Sequence, residues 1–421
     1  MRVGDTVNAA ALVNGRPLDG VRILAVEQMQ ALPYATQLLA RLGATVVKVE
    51  HPKGGDLGRG SLPAMRDPEG RNVGATFLRN NLNKRSITID LKHPRGRELV
   101  LRLATRFDVF AENFKGGALR RMGLGYDDVA AVAPAIVYLS VSGFGNAGMP
   151  GEAPSPYRDW PAYAAVAEAM SGMYAWKRPP DQPPVASPLG ALGDIGTGLF
   201  GVIGILAALR HRERTGQGQY VDVAMFDSMV AMADVMTNFW SMGERPDPGE
   251  GPKMILDSFR AANGWFIVQV GREHEFARLA ELIGQPGWVI DPRFATRAGW
   301  REHLEPVIRP ALEQWAAGRT TVEVCHALSG AGIAAGPVFD AAQVIDDPHV
   351  ANRHMQVELA RTDGVADPVL IPGNPVKLSK TAEGPETRVP WLGEHTDEVL
   401  ARELALDADA LADLRADGVI G

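Results

Sequence analysis

The chain has 421 residues, 46% of them hydrophobic and 22% charged, with a formal net charge of −7. That is ordinary composition for a soluble globular protein, and the length favours two domains over one. No basic stripe or arm points to nucleic acid, and the single cysteine, Cys325, leaves no internal disulfide and no cysteine-based metal spacing. The first twenty residues lack a basic segment followed by an apolar one, so no signal peptide is expected. The longest apolar run, Leu199 to Leu209, is about half the length of a membrane span. Together these predict a cytoplasmic protein without a membrane partner.

In chain order, VRILAV (21–26) predicts a strand, PYATQLLARLGA (33–44) a helix and TVVKVE (45–50) a second strand. SITIDL (86–91) predicts a third strand. HPRGRELVLRLATRF (93–107) predicts a helix, with proline in its first turn and apolar residues at helical spacing. DVFAENF (108–114) and AIVYLSVSGF (135–144) supply two more strands. Strands alternating with helices of this length imply a parallel sheet covered on both faces, with ligands bound outside the carboxyl ends of its strands. Loop-like stretches follow at 145–161 and 177–188, then the apolar segment at 199–209 and YVDVAMFDSMVAMADVM. The sequence predicts a large α/β domain over 1–228, a linker over 229–253, a smaller α+β domain over 254–345 and a return to the large domain over 346–421.

The candidate chemistry centres on GALGDIGTGLFG (190–201), where Asp194 is the single charge. One reading makes Asp194 a helix cap, the commonest role for aspartate before an apolar run. The other makes it a nucleophile: glycines at 190, 193, 196 and 198 leave room for a substrate, and a helix start holds the carboxylate ionised. No Walker-type loop is present, and the first strand leads into EQMQALPY rather than a dinucleotide-binding glycine fingerprint. His349 and His354 read as exposed histidines rather than metal ligands.

Eight segments carry a resemblance to a known family: LDGVRILAVEQ (18–28), ATQLLARLGATVVKVEHPKGGD (35–56), NKRSITIDLKHPRGR (83–97), DVFAENFKGGALRRMGLGY (108–126), IVYLSVSGFG (136–145), GDIGTGLFGVIGILAALRHRERTGQGQYVDVAMFDS (193–228), AAGPVFD (334–340) and LGEHTDEVL (392–400). In this order they resemble the class III CoA-transferases, the formyl-CoA transferase or CaiB–BaiF family. The resemblance implies an open Rossmann-like sheet domain built from both chain ends, a smaller domain between them and an interlocked homodimer. It implies an acyl-CoA and a carboxylic acid as substrates, with no permanently bound cofactor and no metal. Asp194 then matches the catalytic aspartate, acylated in a ping-pong exchange. Gln30, Ala31, Asn113 and Phe114 match contacts along the ligand. Ile89, Asp90, Leu91 and Lys92 match a stretch near adenine and phosphates, and Arg121 matches a phosphate-binding arginine. His51 stands where the formyl-CoA enzymes carry arginine, and either stacks on adenine or ends the strand. PGEGPK (248–253) is the nearest counterpart of their shielding loop.

Two other functions compete. The related α-methylacyl-CoA racemases pair this aspartate with an upstream histidine, because moving an α-proton needs two acid/base groups. No histidine occurs here between His93 and His211. A catalytically silent acyl-CoA-binding protein is the third reading, and the intact Asp194 argues against it.

Overall fold

The computed structural model describes residues 1–146, 153–176, 178, 181–245 and 254–421. They group into two compact units. One takes Met1–Trp176, Pro183–Arg245 and Ala351–Gly421; the other takes Lys177–Gln182 and Pro246–Val350.

The first unit is built on six strands: β1 (Arg22–Val26), β2 (Thr45–Glu50), β3 (Lys84–Thr88), β4 (Val109–Glu112), β5 (Val137–Ser142) and β6 (Gln219–Ala224). All neighbours run parallel, in the order β3-β2-β1-β4-β5-β6. This is the doubly wound order, in which the chain turns back beside the first strand. The central strands β1, β4 and β5 are largely apolar because both faces are covered. One face packs α1 (Ala31–Arg41) and a long helix, α5 (Leu192–Thr215), with Ile23, Val46, Leu139 and Ile205 among the buried residues. The other packs α2 (Pro94–Ala104) and α3 (Tyr126–Val132). On that same face two C-terminal helices, α9 (Thr396–Leu404) and α10 (Ala408–Ala416), bury Val399, Leu400, Leu411 and Leu414. Asp90 N–H donates to the Val419 carbonyl at 2.8 Å, tying the last residues to the end of β3.

Several expectations are corrected. α5 runs 24 residues, well beyond the apolar run, and by length and composition it could cross a membrane. It instead lays glycines against the sheet: a Cβ on Gly201 would meet Leu139 at 3.4 Å, and one on Gly204 would meet Val221 at 2.7 Å. Residues 229–245 are no linker, for they continue α6 (Met225–Met232) and form a helix over Met236–Ser241 in the first unit. Apolar Met225 and Met229 at helical spacing, both buried, explain why.

The second unit has an antiparallel sheet of β7 (Ile255–Ala261), β8 (Gly264–Val270) and β9 (Ala334–Pro337), in the order β9-β8-β7. Helices α7 (Glu273–Leu282) and α8 (Thr321–Gly330) share its core with Phe259, Phe266, Trp300 and Cys325. β9 falls inside the 254–345 stretch that the sequence assigns to the smaller domain.

Charged side chains are buried together near the carboxyl ends of β1 and β2, with Lys84 reaching in from the start of β3. Lys48 of β2 sits 2.7 Å from Asp56 and 3.4 Å from Glu27, and Lys84 of β3 sits 2.7 Å from Glu27. Arg59 binds both oxygens of Glu50 at 2.7 Å. Burial alone pushes the Glu50 carboxyl up, but Arg59, Lys48 and the Ser86 hydroxyl outweigh it and bring it down to about 2. Asp56 in turn accepts the N–H of Met29 at 2.8 Å. Met29 is left-handed at φ 62, a conformation that a non-glycine residue keeps only when its surroundings hold it. The ion cluster therefore fixes the loop that leads into α1.

Removing one partner of such a pair strands a buried charge. Arg59→Ala should destabilise the first unit by about 3–5 kcal/mol, read as a lower denaturant midpoint. The Glu50 contribution is present above its ordinary pKa and is lost as pH falls toward about 2, so the gap between variant and wild type should narrow on acidification.

Candidate active site at the carboxyl ends of the sheet

β1 and β4 are adjacent, and the segments leaving them diverge to opposite faces. This is the crevice where parallel sheets bind ligands. The two segments are sewn together: Gln28 N–H donates to Asn113 Oδ1, and Asn113 Nδ2 donates to the Gln28 carbonyl, both at 2.9 Å. A cavity of about 250 Å³ opens above this seam. Its walls include Gln30, Ala31, Asn113, Phe114, Lys115, Arg158, Tyr163 and Asp194.

Asp194 is the third residue of α5, and Ala191 stands at the cap position. The capping reading is therefore wrong. The open-glycine argument is wrong as well, because these glycines serve close packing. A Cβ on Gly193 would lie 2.9 Å from the Ala164 Cα of α4 (Ala164–Met170), and one on Gly196 would lie 2.3 Å from Met232 Sδ. On Gly198 it would meet the Ala31 carbonyl at 2.7 Å. Only Gly190, at φ 62 in the turn before the helix, faces open space. Nor does the helix start hold the carboxyl low. Burial first, and the Glu168 carboxylate second, push it up to about 6. A carboxylate near this value stays largely ionised at neutral pH and is more basic than an exposed one.

The other predicted residues fall into two further groups. Arg121 lines a neighbouring cavity of about 490 Å³ with Arg120, Arg158, Tyr126, Tyr138, Tyr220 and Glu112. The two cavities share Gly116 and Arg158. Burial pushes Glu112 up to about 7, although it accepts from the Ser140 hydroxyl and the Phe114 N–H. His51, Ile89, Asp90, Leu91 and Lys92 gather at the ends of β2 and β3 and line neither cavity. His51 Nδ1 accepts the Lys53 N–H at 3.0 Å, and its Nε2 lies 3.9 Å from Asp90. Ile89 is buried, and Lys92 is exposed beside Asp90, which accepts its N–H at 2.8 Å. PGEGPK (248–253) lies outside the described residues. Sequence reasoning missed Glu168 and Arg158. Glu168 is the only acidic residue in the stretch WPAYAAVAEAMSG (160–172) that precedes α5.

The model of CoA-transferase family III matches residues 18–396. The succinyl-CoA–L-malate CoA-transferase beta subunit of Chloroflexus aurantiacus is 33% identical over 412 residues, covering 96% of this chain and 98% of that one. The succinyl-CoA:mesaconate CoA-transferase of Haloarcula hispanica is 36% identical over 388 residues, covering 91% and 95%. A CaiB/BaiF family protein from Brucella suis superposes with a TM-score of 0.78 at 33% identity, over 92% of this chain and 99% of that one.

The position of Asp194 is checked by its titration. Infrared difference spectra between pH 4 and pH 8 should contain a carboxylate band with a midpoint of about 6, separate from that of Glu112 at about 7. That band should be missing in Asp194→Asn.

Proposed function

The chain belongs to CoA-transferase family III, and we propose that it moves coenzyme A from an acyl-CoA to a carboxylic acid with Asp194 as the covalent relay. The observation that carries this is the placing of Asp194. It is a half-buried carboxylate of raised pKa in the cavity at the point where the strand order reverses.

The ionised Asp194 oxygen attacks the thioester carbonyl of the donor. The C–S bond breaks, leaving an aspartyl–acyl anhydride and the CoA thiolate. The thiolate attacks the aspartyl carbonyl, giving an aspartyl-CoA thioester and releasing the first acid. The acceptor carboxylate then attacks that thioester, forming a second anhydride and freeing the thiolate again. Attack of the thiolate on the acceptor's acyl carbonyl gives the new acyl-CoA and returns Asp194 to its carboxylate. Each half splits a hard exchange into easier substitutions, and no net proton or electron is needed.

Both relatives carry succinyl-CoA and a dicarboxylic acid in their names. A dicarboxylic acid keeps one carboxylate when the other becomes a thioester. Lys115 and Arg158 are the cations on the walls of the Asp194 cavity, the kind of group that pairs with such a charge. We read the acids as dicarboxylic on that basis. Gln30, Ala31, Asn113 and Phe114 serve the thioester end. Arg121 and Lys92 serve the phosphates, and His51 and Ile89–Leu91 flank the nucleotide. A racemase would need a second acid/base group open to the substrate. Glu168 lines neither cavity, which disfavours that reading.

The first unit is read as the CoA-binding domain of an interlocked homodimer. Leu199, Ile203 and Leu206 on α5, with Phe239 and Trp240 beyond it, are exposed apolar side chains that a partner would cover. Sedimentation equilibrium should give a dimer without dissociation at micromolar concentration, and a monomer would contradict it.

Asp194→Asn keeps shape and polarity but cannot form an anhydride. It should bind CoA normally and lose kcat by about a thousand-fold or more, measured with succinyl-CoA and a panel of dicarboxylic acids. Arg121→Ala should raise KM for the acyl-CoA about ten-fold with kcat nearly intact, the pattern of lost uniform binding.

A further inference from the structure

Glu168 lies in α4 and is fully buried. A buried carboxylate is costly unless its oxygens are paired, and both are. Oε1 accepts the backbone N–H of Gly193 at 2.9 Å, and Oε2 accepts the Tyr174 hydroxyl. Gly193 immediately precedes Asp194, and its N–H is one of the donors that a helix leaves unsatisfied at its start. α5 has no side-chain cap of its own. Its cap therefore comes from a different helix, 25 residues earlier in the chain. The approach depends on glycine at 193, since a Cβ would collide with the backbone of Ala164. Glu168 lines neither cavity, so it acts through another residue.

We propose that Glu168, backed by Tyr174, is a positioning residue for the nucleophile: it grips the first turn of α5 and places a carboxyl group behind Asp194. This rests on the reading of Asp194 as the acylated residue and adds what sets its place and its basicity. The charge has a direction of effect. A carboxylate disfavours the ionised form of a carboxyl beside it, and acylation of Asp194 removes the charge that Glu168 opposes. Glu168 thus favours the covalent states over the free carboxylate. The cavity walls present Lys115, Arg158 and Tyr163 to the same space. Helix α1 carries Tyr34 and Arg41, and α6 carries Asp227. Of these charges, the Glu168 carboxylate is the one that raises Asp194, after burial.

The test compares Glu168→Gln, Glu168→Ala and Asp194→Asn with the wild type. Turnover is followed with the fastest pair from a donor and acid panel, succinyl-CoA and mesaconate being tried first, and CoA binding by calorimetry. Gln keeps an acceptor for Gly193 and a partner for Tyr174 while removing the charge. It should fold as wild type, bind CoA with unchanged affinity and lose kcat about ten-fold. The acid limb of its pH profile should move to lower pH, since the carboxylate beside Asp194 is gone. Ala removes the grip as well and should lose about a hundred-fold in kcat, with KM for acyl-CoA unchanged. A Gln variant with wild-type kcat and an unmoved acid limb, beside an inactive Asp194→Asn, would overturn the proposal alone. An active Asp194→Asn would overturn the nucleophile reading on which it rests.

Discussion

The contact on which the site depends is between backbones. At Gly198 the helix α5 comes so close to α1 that a Cβ would sit 2.7 Å from the carbonyl oxygen of Ala31. No side chain separates the start of the helix that carries Asp194 from the start of the helix that follows β1. Asp194 consequently shares a cavity with Gln30 and Ala31. Gly193 does the same on the other side, letting α4 bring Glu168 to the helix end. Packing of this kind transmits small displacements because close-packed interiors have little slack. A methyl group at either glycine would shift Asp194 relative to the β1 loop.

The two sides of the cavity are fixed by charge in different ways. Behind the β1 loop, Lys48, Lys84 and Arg59 are matched against Glu27, Asp56 and Glu50, so that buried charges are paired. That cluster holds Met29 in its left-handed conformation through Asp56. Behind Asp194 the charge is of one sign: Glu168 is bonded to an N–H and a hydroxyl, with no cation on it among the described residues. A paired network lowers carboxyl pKa values, as at Glu50, whereas like charge with burial raises them, as at Asp194. The first holds the β1 loop in place, and the second leaves Asp194 more basic than an exposed carboxylate.

Much of this was legible in the sequence. The apolar runs 21–26, 45–50 and 135–144 marked strands because a doubly covered parallel strand is apolar on both faces. Asp194 stood out as a lone charge between glycines. The strand order was not legible, since order depends on pairings between segments far apart in the chain. The glycines misled because the sequence shows their lack of a side chain but not what occupies the space. They are filled by Ala164, Met232 and Ala31 rather than left for a ligand. Lys48 and Glu50 stood within the predicted strand 45–50, and only the approach of Arg59 and Asp56 shows them buried and paired. Glu168 was passed over for the same reason, because its meaning comes from Gly193, which the fold brings beside it.

The account stands or falls on covalent capture at one carboxylate. The enzyme is incubated with acyl-CoA, treated with hydroxylamine and digested, and the peptide carrying Asp194 is sequenced by mass spectrometry. A hydroxamate on Asp194 is expected, dependent on acyl-CoA and absent when free CoA alone is added. An unmodified Asp194 during turnover, or a hydroxamate on another carboxylate, would contradict it.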